Sequence, residues 1–325
     1  MIKTKNHKAF SLIEISMVIL VIGILIAGIS QGIDLYDDYR LTSARNLTKN
    51  SLVNRVPDLE MWLETTLENS LATGTSTFTD KPNPIDQDSI GRWNNINPNI
   101  LPSARNHATQ TNPTPLVDNQ PKYIRKGMNG LPALLFDGTN DFIASETKFI
   151  INNFTIFVVG LPSPNTSCVN NGSATTLGTT GQRYIIYPQH GEVIFPSNNA
   201  AGAGISLCTN FVSGFEHANS YMPYSVSNTI NSISINKPIQ ITLKYNERFP
   251  NLYLNSTYSF NGRLSSKNVF PSLTFGGGRM SGYGENYGYF QGHIAEIIIY
   301  SRALNDKERQ GVEAYLAKKW GIKLG

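Results

Sequence analysis

The sequence has 325 residues, of which 40% are hydrophobic and 15% are charged, and its formal net charge is +4 at pH 7. So small a charge gives no support to nucleic-acid binding. The low charged fraction, together with 15 Tyr, 15 Phe, 27 Gly and 17 Pro, is typical of an extracytoplasmic β-rich domain and argues against a cytosolic enzyme.

A long apolar segment follows a short basic leader at the N-terminus. Lys3, Lys5 and Lys8 precede Phe10, and no charged residue occurs from Ile15 to Ile33. A membrane-spanning helix needs about 20 mostly apolar residues, and basic residues ahead of it favour a cytoplasmic N-terminus. The pattern predicts a single-pass membrane helix.

One carboxylate lies at the start of this segment. A charged side chain in the first turn of a membrane helix is costly, so Glu14 is expected to have a function and a partner. The residues that lead up to it are Ala9, Phe10, Ser11, Leu12 and Ile13. This series resembles the N-terminus of type IV pilins and type II secretion pseudopilins: a basic leader, a small residue, Phe, Ser or Thr, Leu, any residue and Glu. That family usually has Gly where Ala9 stands.

The resemblance implies how the N-terminus is processed. A prepilin peptidase would cleave between Ala9 and Phe10 and methylate the new amine. Glu14 would then pair with the N-terminal amine of a neighbouring subunit, in agreement with the need of a buried carboxylate for a partner. The alternative is a plain signal anchor with an incidental Glu14. A secretory signal peptide fits less well, because its apolar region has about 7–15 residues and ends at an A-x-A-like site.

Helical character continues beyond the apolar segment. No proline occurs between Phe10 and Pro57, and apolar and charged residues are interleaved after Ile33. The sequence therefore predicts a leader at 1–9, a pilin-like helix at 10–56 that is transmembrane to about residue 33, and a globular domain at 57–325.

Short segments in which apolar and polar residues alternate dominate the predicted globular domain. Their alternation, and the turn residues between them, predict β-strands in a two-sheet sandwich or jelly roll. The predicted strands are Asp58–Glu64, Pro132–Asp137, Phe154–Val159, Arg183–Tyr187, Glu192–Phe195, Ile230–Ile235, Ile239–Leu243, Asn251–Leu254 and Phe290–Tyr300. Residues 65–120 read mostly as loop. A C-terminal helix is predicted by Asn305 as N-cap, Glu308 three residues later and Gly321 at the end.

Several motifs of the globular part form a second recognisable set. They are Trp62–Glu64, Arg92–Asn95, Asn129–Ala133, Phe136–Asp141, Gly292–Leu304, Glu308–Arg309 and Ala314–Trp320. The set resembles the laminin-G-like, concanavalin A-like domains of bacterial surface proteins. The resemblance implies a mainly β fold, a concanavalin A-like two-sheet β-sandwich. It also implies a function in adhesion, often to carbohydrate.

Cys168 and Cys208 are the two cysteines. In an exported domain they would form one disulfide, which would stabilise the fold by about 4 kcal/mol on the chain-entropy model. Two free thiols are the alternative. No His and Cys spacing predicts a zinc site.

Two further sets of residues are candidates for binding. Asp137, Asn140 and Asp141 offer oxygen ligands for calcium, but the same residues are typical of a tight turn, which is the favoured interpretation. No other cofactor is predicted. The Gly- and Tyr-rich stretch 276–289 is the candidate ligand loop. Tyr283, Tyr287 and Tyr289 could stack on sugars there, with Arg279 beside them. The alternative is a hairpin loop whose tyrosines pack on the sheet.

The motifs of known enzymes are absent from the sequence. It has no Glu-x-Asp-x-x-Glu strand, which glycosidases on the concanavalin A-like fold usually have, no G-x-S-x-G elbow and no P-loop. We therefore predict that the chain is not an enzyme.

Together the two resemblances predict a pilin-like, minor subunit of a type IV pilus or type II secretion pseudopilus with a lectin-like head. It would be anchored in the bacterial inner membrane, with the head in the periplasm or on a surface filament. Its partners would be prepilin peptidase, other pilin or pseudopilin subunits and surface glycans. The alternatives are a membrane-anchored adhesin that does not polymerise and, less favoured, a glycan-active enzyme.

Overall fold

The computed structural model describes residues 11–110, 117–148, 150–164, 166–168, 182–219, 224–229, 237–279 and 286–325. The helices are α1 (Leu12–Lys49), α2 (Gly191–Ile194) and α3 (Asp306–Trp320). The first ten strands are β1 (Leu59–Glu64), β2 (Leu71–Thr73), β3 (Thr79–Asp80), β4 (Arg92–Trp93), β5 (Ala108–Thr109), β6 (Lys122–Met128), β7 (Leu131–Asp137), β8 (Ile143–Ala144), β9 (Phe154–Pro162) and β10 (Tyr184–Ile186). The others are β11 (Ala200–Leu207), β12 (Phe211–His217), β13 (Tyr224–Thr229), β14 (Ile239–Asn246), β15 (Phe249–Leu254), β16 (Thr257–Asn261), β17 (Asn268–Pro271), β18 (Thr274–Phe275), β19 (Gly278–Arg279), β20 (Asn286–Tyr287) and β21 (Gln291–Tyr300).

The N-terminal helix is continuous over 38 residues. It ends at Lys49, before the predicted end at residue 56, and a single 3-10 turn at Val53–Arg55 follows. Proline is thus not what stops the helix. The chain has two compact units, and the second, Ala44–Gly325, begins inside α1. The last turn and a half of α1 therefore belongs to the globular unit, which we call the head.

Two sheets form the head. Sheet A has eight strands in the order β16-β15-β14-β9-β21-β7-β6, with β1 also paired to β21. Sheet B has eleven, in the order β13-β12-β11-β10-β18-β8-β5-β4-β2-β3, with β17 paired to β11 in parallel. All pairs in sheet A are antiparallel. The two-sheet, mainly β fold class predicted from the sequence is confirmed.

Alternation along the strands sends side chains to the two faces of sheet A. On β1, Met61 and Leu63 enter the core between the sheets, whereas Trp62 lies on the opposite face. That second face is covered by α3, whose Val312 and Leu316 are fully buried there. The centre of sheet A is therefore buried on both sides, so its strands β9 and β21 are almost continuously apolar.

Local capping signals place α3 as predicted. The Asn305 side chain accepts from the Glu308 amide at 3.0 Å and the Asn305 amide donates to the Glu308 carboxylate at 3.2 Å, a capping box. Gly321 ends the helix with φ +68°, a left-handed conformation that glycine adopts without steric cost.

Some predicted strands are not strands. Residues around Glu192–Phe195 form the short helix α2 and its C-cap instead of a strand, because a run of three apolar residues carries no period that separates helix from strand. The predicted strand Ile230–Ile235 lies outside the described residues. Conversely, β11 and β12 were not predicted, since Gly and Ala dilute their apolar pattern.

Candidate functional site

The start of α1 is a reciprocal cap. Ser11 N–H donates to Glu14 Oε2 at 2.8 Å, and the Glu14 amide donates to Ser11 Oγ at 3.2 Å. Glu14 is exposed, and its Oε1 atom has no hydrogen-bond partner within the described part of the chain. The carboxylate that the sequence singles out thus caps its own helix and still offers one oxygen to another molecule. The predicted cleavage pair, Ala9 and Phe10, lies outside the described residues.

The apolar half of α1 has no cover. Its large apolar side chains from Leu12 to Ile33 are between 48% exposed, at Ile22, and 87% exposed, at Leu12. Such a surface is far larger than the apolar patches that soluble monomers leave in water. By length and composition the helix can cross a membrane, a test that a signal sequence at the same position would also pass.

A charge network is buried beneath α3 in the head. Lys319 lies 2.9 Å from Glu64 Oε2 and 2.9 Å from Glu296 Oε2, and none of the three side chains is exposed. β1 supplies Glu64, β21 supplies Glu296 and α3 supplies Lys319. With Trp62, Tyr315 and Trp320 we call this set the buried charge network.

Each carboxylate of the network is fully hydrogen-bonded. Glu296 accepts from Trp62 Nε1 at 2.7 Å and Tyr315 Oη at 2.7 Å through Oε1, and from Trp320 Nε1 at 2.8 Å through Oε2. Glu64 accepts from the amide of Thr66 at 2.8 Å and from that of Leu67 at 2.7 Å. Buried charges are tolerated only when paired and hydrogen-bonded in this way.

The titration behaviour of the network follows from these contacts. Burial alone raises the pKa of Glu64, but the Lys319 ammonium and the hydrogen bonds from Thr66 and Leu67 outweigh it and lower that pKa below its ordinary value. Burial likewise lowers the pKa of Lys319, and the two carboxylates raise it further than burial lowers it. Both groups are therefore charged near neutral pH.

A β-bulge aims Glu296 at this network. The register of β21 against β9 shifts between Ile294 and Glu296, and Ile294 and Ile297, three residues apart, both enter the inter-sheet core. The extra residue turns Glu296 to the helix-covered face. Sequence reasoning did not single out the network, although Trp62–Glu64, Glu296 and Lys319–Trp320 all lie in motifs that carry the laminin-G-like resemblance. The available signal was a buried-strand carboxylate, Glu64 at the end of β1 and Glu296 within the apolar run of β21.

The predicted calcium residues form a turn. Asp137 Oδ1 accepts from the amides of Thr139 at 2.7 Å and Asn140 at 3.2 Å, and Asp141 Oδ2 accepts from the Asp137 amide at 3.0 Å. Burial, together with the charge of Asp137, raises the pKa of Asp141 to about 7. Among the described residues no group of three His, Cys, Asp or Glu side chains is placed to hold a metal ion. The contacts are those of the turn interpretation.

The predicted ligand loop begins and ends in a small hairpin. Arg279 on β19 pairs with Asn286 on β20, next to Tyr287, while Tyr283 lies outside the described residues. Tyr289 is 5% exposed, and its carbonyl accepts from Arg183 Nη1 at 3.2 Å. Tyr289 is therefore packed on the head and does not project as a free sugar platform.

An aromatic cluster that the sequence did not reveal adjoins this hairpin. The Tyr184 ring lies 5.5 Å from that of Phe215 and 5.6 Å from that of Tyr187, and His217 lies 4.8 Å from His190. Burial lowers the pKa of His217 to about 4, so its ring is neutral at physiological pH. The cluster is buried, and Tyr184 joins it to Tyr289 through a β-bridge.

The two cysteines are joined. Cys168 and Cys208 form a disulfide with their Cα atoms 5.6 Å apart. Asn210 flanks it, accepting from the Cys168 amide at 2.8 Å and donating to its carbonyl at 3.0 Å. The thiols are thus not available as ligands or nucleophiles.

Comparison with known proteins shows that the chain has a fold similar to theirs. No family model and no curated protein matches the chain. The Trypanosoma rangeli sialidase in complex with 2,3-difluorosialic acid is 12% identical with a TM-score of 0.48, and the match covers 81% of this chain and 33% of the sialidase. An arabinofuranosidase complexed with arabinofuranosyl-alpha-1,2-xylobiose is 13% identical with a TM-score of 0.53, over 82% of this chain and 64% of that one. Domain 4 of an extracellular arabinanase from Geobacillus stearothermophilus, in complex with arabinotriose, is 14% identical with a TM-score of 0.42, over 71% and 99%.

These matches correct one prediction. The chain spans a third of the sialidase and less than two thirds of the arabinofuranosidase. What it shares with the arabinofuranosidase is a β-sandwich fold. Because a glycan-active enzyme has this fold at a TM-score of 0.53, the prediction that the chain is not an enzyme is contradicted. The absence of three known motifs was not sufficient ground for that prediction, since one fold hosts several catalytic constellations.

Proposed function

We propose that the chain is a pilin-like, minor subunit of a type IV pilus or type II secretion pseudopilus whose β-sandwich head binds carbohydrate. The observation that carries the proposal is the start of α1, where a capped but exposed Glu14 opens a long helix with no apolar cover. A bilayer covers such a helix before assembly, and apolar helices of neighbouring subunits cover it afterwards.

Charge asymmetry supports the proposed orientation. Lysines precede the apolar segment, whereas Asp34, Asp37 and Asp38 follow it. Basic flanks stay cytoplasmic, so the head would be on the outer side of the inner membrane. Tyr36 and Tyr39, 59% and 70% exposed, follow the apolar half at the position where aromatic side chains favour a membrane interface. The Cys168–Cys208 disulfide fits an oxidising compartment.

The same geometry supports a role for Glu14 in assembly. Processing by a prepilin peptidase between Ala9 and Phe10 would create an amine four residues before Glu14. In an apolar bundle of helices that carboxylate needs a positive partner, and Oε1 is the oxygen that remains for the amine of a neighbouring subunit. An incidental Glu14 in a plain anchor would need no such partner.

Glu14→Gln is expected to reduce incorporation into filaments at least about tenfold, because a neutral side chain cannot pair with an amine in an apolar environment. Gln at this position still completes a capping box with Ser11, so insertion into the membrane should be unchanged. The measurement is an immunoblot of the chain in sheared filaments against that in the membrane fraction.

Mass spectrometry of the wild-type filament subunit is the control for this variant. A chain that begins at N-methylated Phe10 is expected. Filaments that contain as much Glu14→Gln as wild-type chain would leave the non-polymerising, membrane-anchored adhesin as the better account.

Binding of carbohydrate by the head is expected on a glycan array with the full chain in detergent. The support for it is the laminin-G-like resemblance and the sandwich fold shared with the arabinofuranosidase. Tyr287→Ala in the predicted ligand loop should weaken binding several-fold, because a ring that stacks on sugar is lost. Tyr39→Ala, an exposed tyrosine of α1, is the matched control. An array without any bound glycan would refute a lectin-like head.

A further inference from the structure

A short segment at the end of α1 is part of the head and has its own set of attachments. We call residues 44–53 the junction strap. Ala44 and Thr48 are 3% and 2% exposed, and Val53 is fully buried. Its buried side chains lie on the helix-covered side of sheet A, since Ala44 and Val53 belong to the same apolar cluster as α3.

The strap is fastened near both ends of β1. Arg45 Nε donates to the Thr66 carbonyl at 2.7 Å and Arg45 Nη1 lies 3.0 Å from Glu68 Oε1, just beyond the C-terminal end of β1. At the other end the Tyr300 hydroxyl donates to the Val53 carbonyl at 2.8 Å. Tyr300 is the register partner of Leu59, where β1 begins.

Between these two attachments the strap touches the buried charge network. The Tyr315 hydroxyl lies 3.2 Å from Thr48 Oγ1 and donates to Glu296 at 2.7 Å. The Thr48 hydroxyl also donates to the Ala44 carbonyl, at 3.0 Å, inside the strap. Since Lys319 and two indole N–H groups hold Glu296 in place, its carboxylate gives Tyr315 a fixed position. Tyr315 is thus the link between α1 and the central strand of sheet A.

We infer that the junction strap is a closed joint, meaning that Tyr315 and the two attachments near the ends of β1 fix it to the head. A pulling force on α1 therefore reaches the centre of sheet A before it can separate β1 from β21. Without the joint, a pulling force on the chain would act on β1 at Leu59. It would then break the backbone hydrogen bonds between β1 and β21 one at a time. With it, the pull reaches Thr66 and Glu296 first, and the ladder bonds of β1 are loaded together. That α1 is under tension rests on the proposed function, whereas the attachment of the strap to the head does not.

The test is hydrogen exchange of the full chain in detergent micelles, read by mass spectrometry of peptides from 45–53, β1 and β21. Tyr315→Phe is expected to speed exchange in 45–53 about tenfold, which corresponds to the net worth of a buried hydrogen bond. Exchange in β1 and β21 should rise much less, because the lost bond to Glu296 weakens the whole head only slightly. Tyr245→Phe is the matched control, because it removes a buried hydroxyl that donates to Glu216 at 2.9 Å and lies in the inter-sheet core, apart from the cluster that holds the strap.

A second variant keeps the inference falsifiable if Tyr315→Phe does not fold. Thr48→Val removes the other hydroxyl with little change of shape and is expected to speed exchange in the same peptide. Unchanged exchange in 45–53 in both variants would overturn the joint. So would equal acceleration throughout the head, since that result would assign Tyr315 to the stability of the whole fold. Failure of filament assembly in Glu14→Gln leaves this outcome untouched, so the two proposals fail separately.

Discussion

Replacing Lys319 with methionine is expected to lower the free energy of unfolding by about 3–5 kcal/mol. The variant leaves the buried carboxyl groups of Glu64 and Glu296 without the ammonium that lies 2.9 Å from each. That loss is a large part of the roughly 5–15 kcal/mol that stabilises a typical domain. Urea unfolding of the full chain in detergent would measure it through tryptophan fluorescence, because Trp62 and Trp320 line the network.

Lys318→Met is the matched control, because the neighbouring lysine is exposed and should change stability by no more than about 0.5 kcal/mol. If Lys319→Met does not fold, the triple variant with Glu64→Gln and Glu296→Gln should recover about half of the lost stability by removing both charges. A Lys319→Met protein as stable as Lys318→Met would show that the network is not a buried ion pair.

The pH dependence of the network has a defined sign. The pKa of Glu64 is lowered in the folded state, so its stabilisation is complete above the ordinary carboxyl pKa of 4.5 and is lost as the pH falls. The pKa of Lys319 is raised, so its stabilisation is complete below the ordinary pKa of 10.5 and is lost at more alkaline pH. Between those limits the network contributes fully.

Asp141→Asn is expected to stabilise the head by about 2 kcal/mol at pH 8. The pKa of Asp141 rises from an ordinary 3.8 to about 7 in the folded state, so the folded protein loses stability as the pH rises from about 4 to 7. Asparagine avoids the buried charge and keeps an oxygen that accepts from the Asp137 amide. The difference in unfolding free energy between variant and wild type should grow over that pH range.

Asp137→Asn is the companion variant, because Asp137 also raises the pKa of Asp141 but is itself exposed. Its gain should be smaller than that of Asp141→Asn. The unfolding temperature with and without calcium distinguishes a metal site from a simple turn at these residues. If calcium raises the unfolding temperature of the wild type and not of Asp141→Asn, the turn is a metal site. A destabilised Asp141→Asn at pH 8 would contradict the assigned pKa.

Local signals explain what the sequence could predict. The caps of α3 at Asn305 and Gly321 depend on residues within one turn, the strand β14 alternates between apolar and polar residues, and β21 has a long apolar run. Such features need no knowledge of the rest of the chain. The apolar half of α1 is equally easy to predict from the sequence, because its length alone distinguishes it from the other segments.

Tertiary packing explains what the sequence could not predict. On β11, Gly202 and Gly204 leave no apolar pattern, and their role is close approach: a Cβ atom at Gly204 would lie 2.5 Å from the Ile186 carbonyl oxygen. The buried charge network joins Glu64 to Lys319 across 255 residues. No local pattern announces such a pair, and only the folded sheet brings it together.

The position of β21 has a consequence for biosynthesis. This strand contacts β1, β7 and β9 at once, yet the ribosome makes it after every other strand of sheet A. Glu296 is translated 234 residues after its partner Trp62, roughly 10–50 s later at ordinary elongation rates. Sheet A cannot close during that interval, so the nascent polypeptide must be shielded from aggregation, by chaperones or by the export machinery, until its final third has emerged.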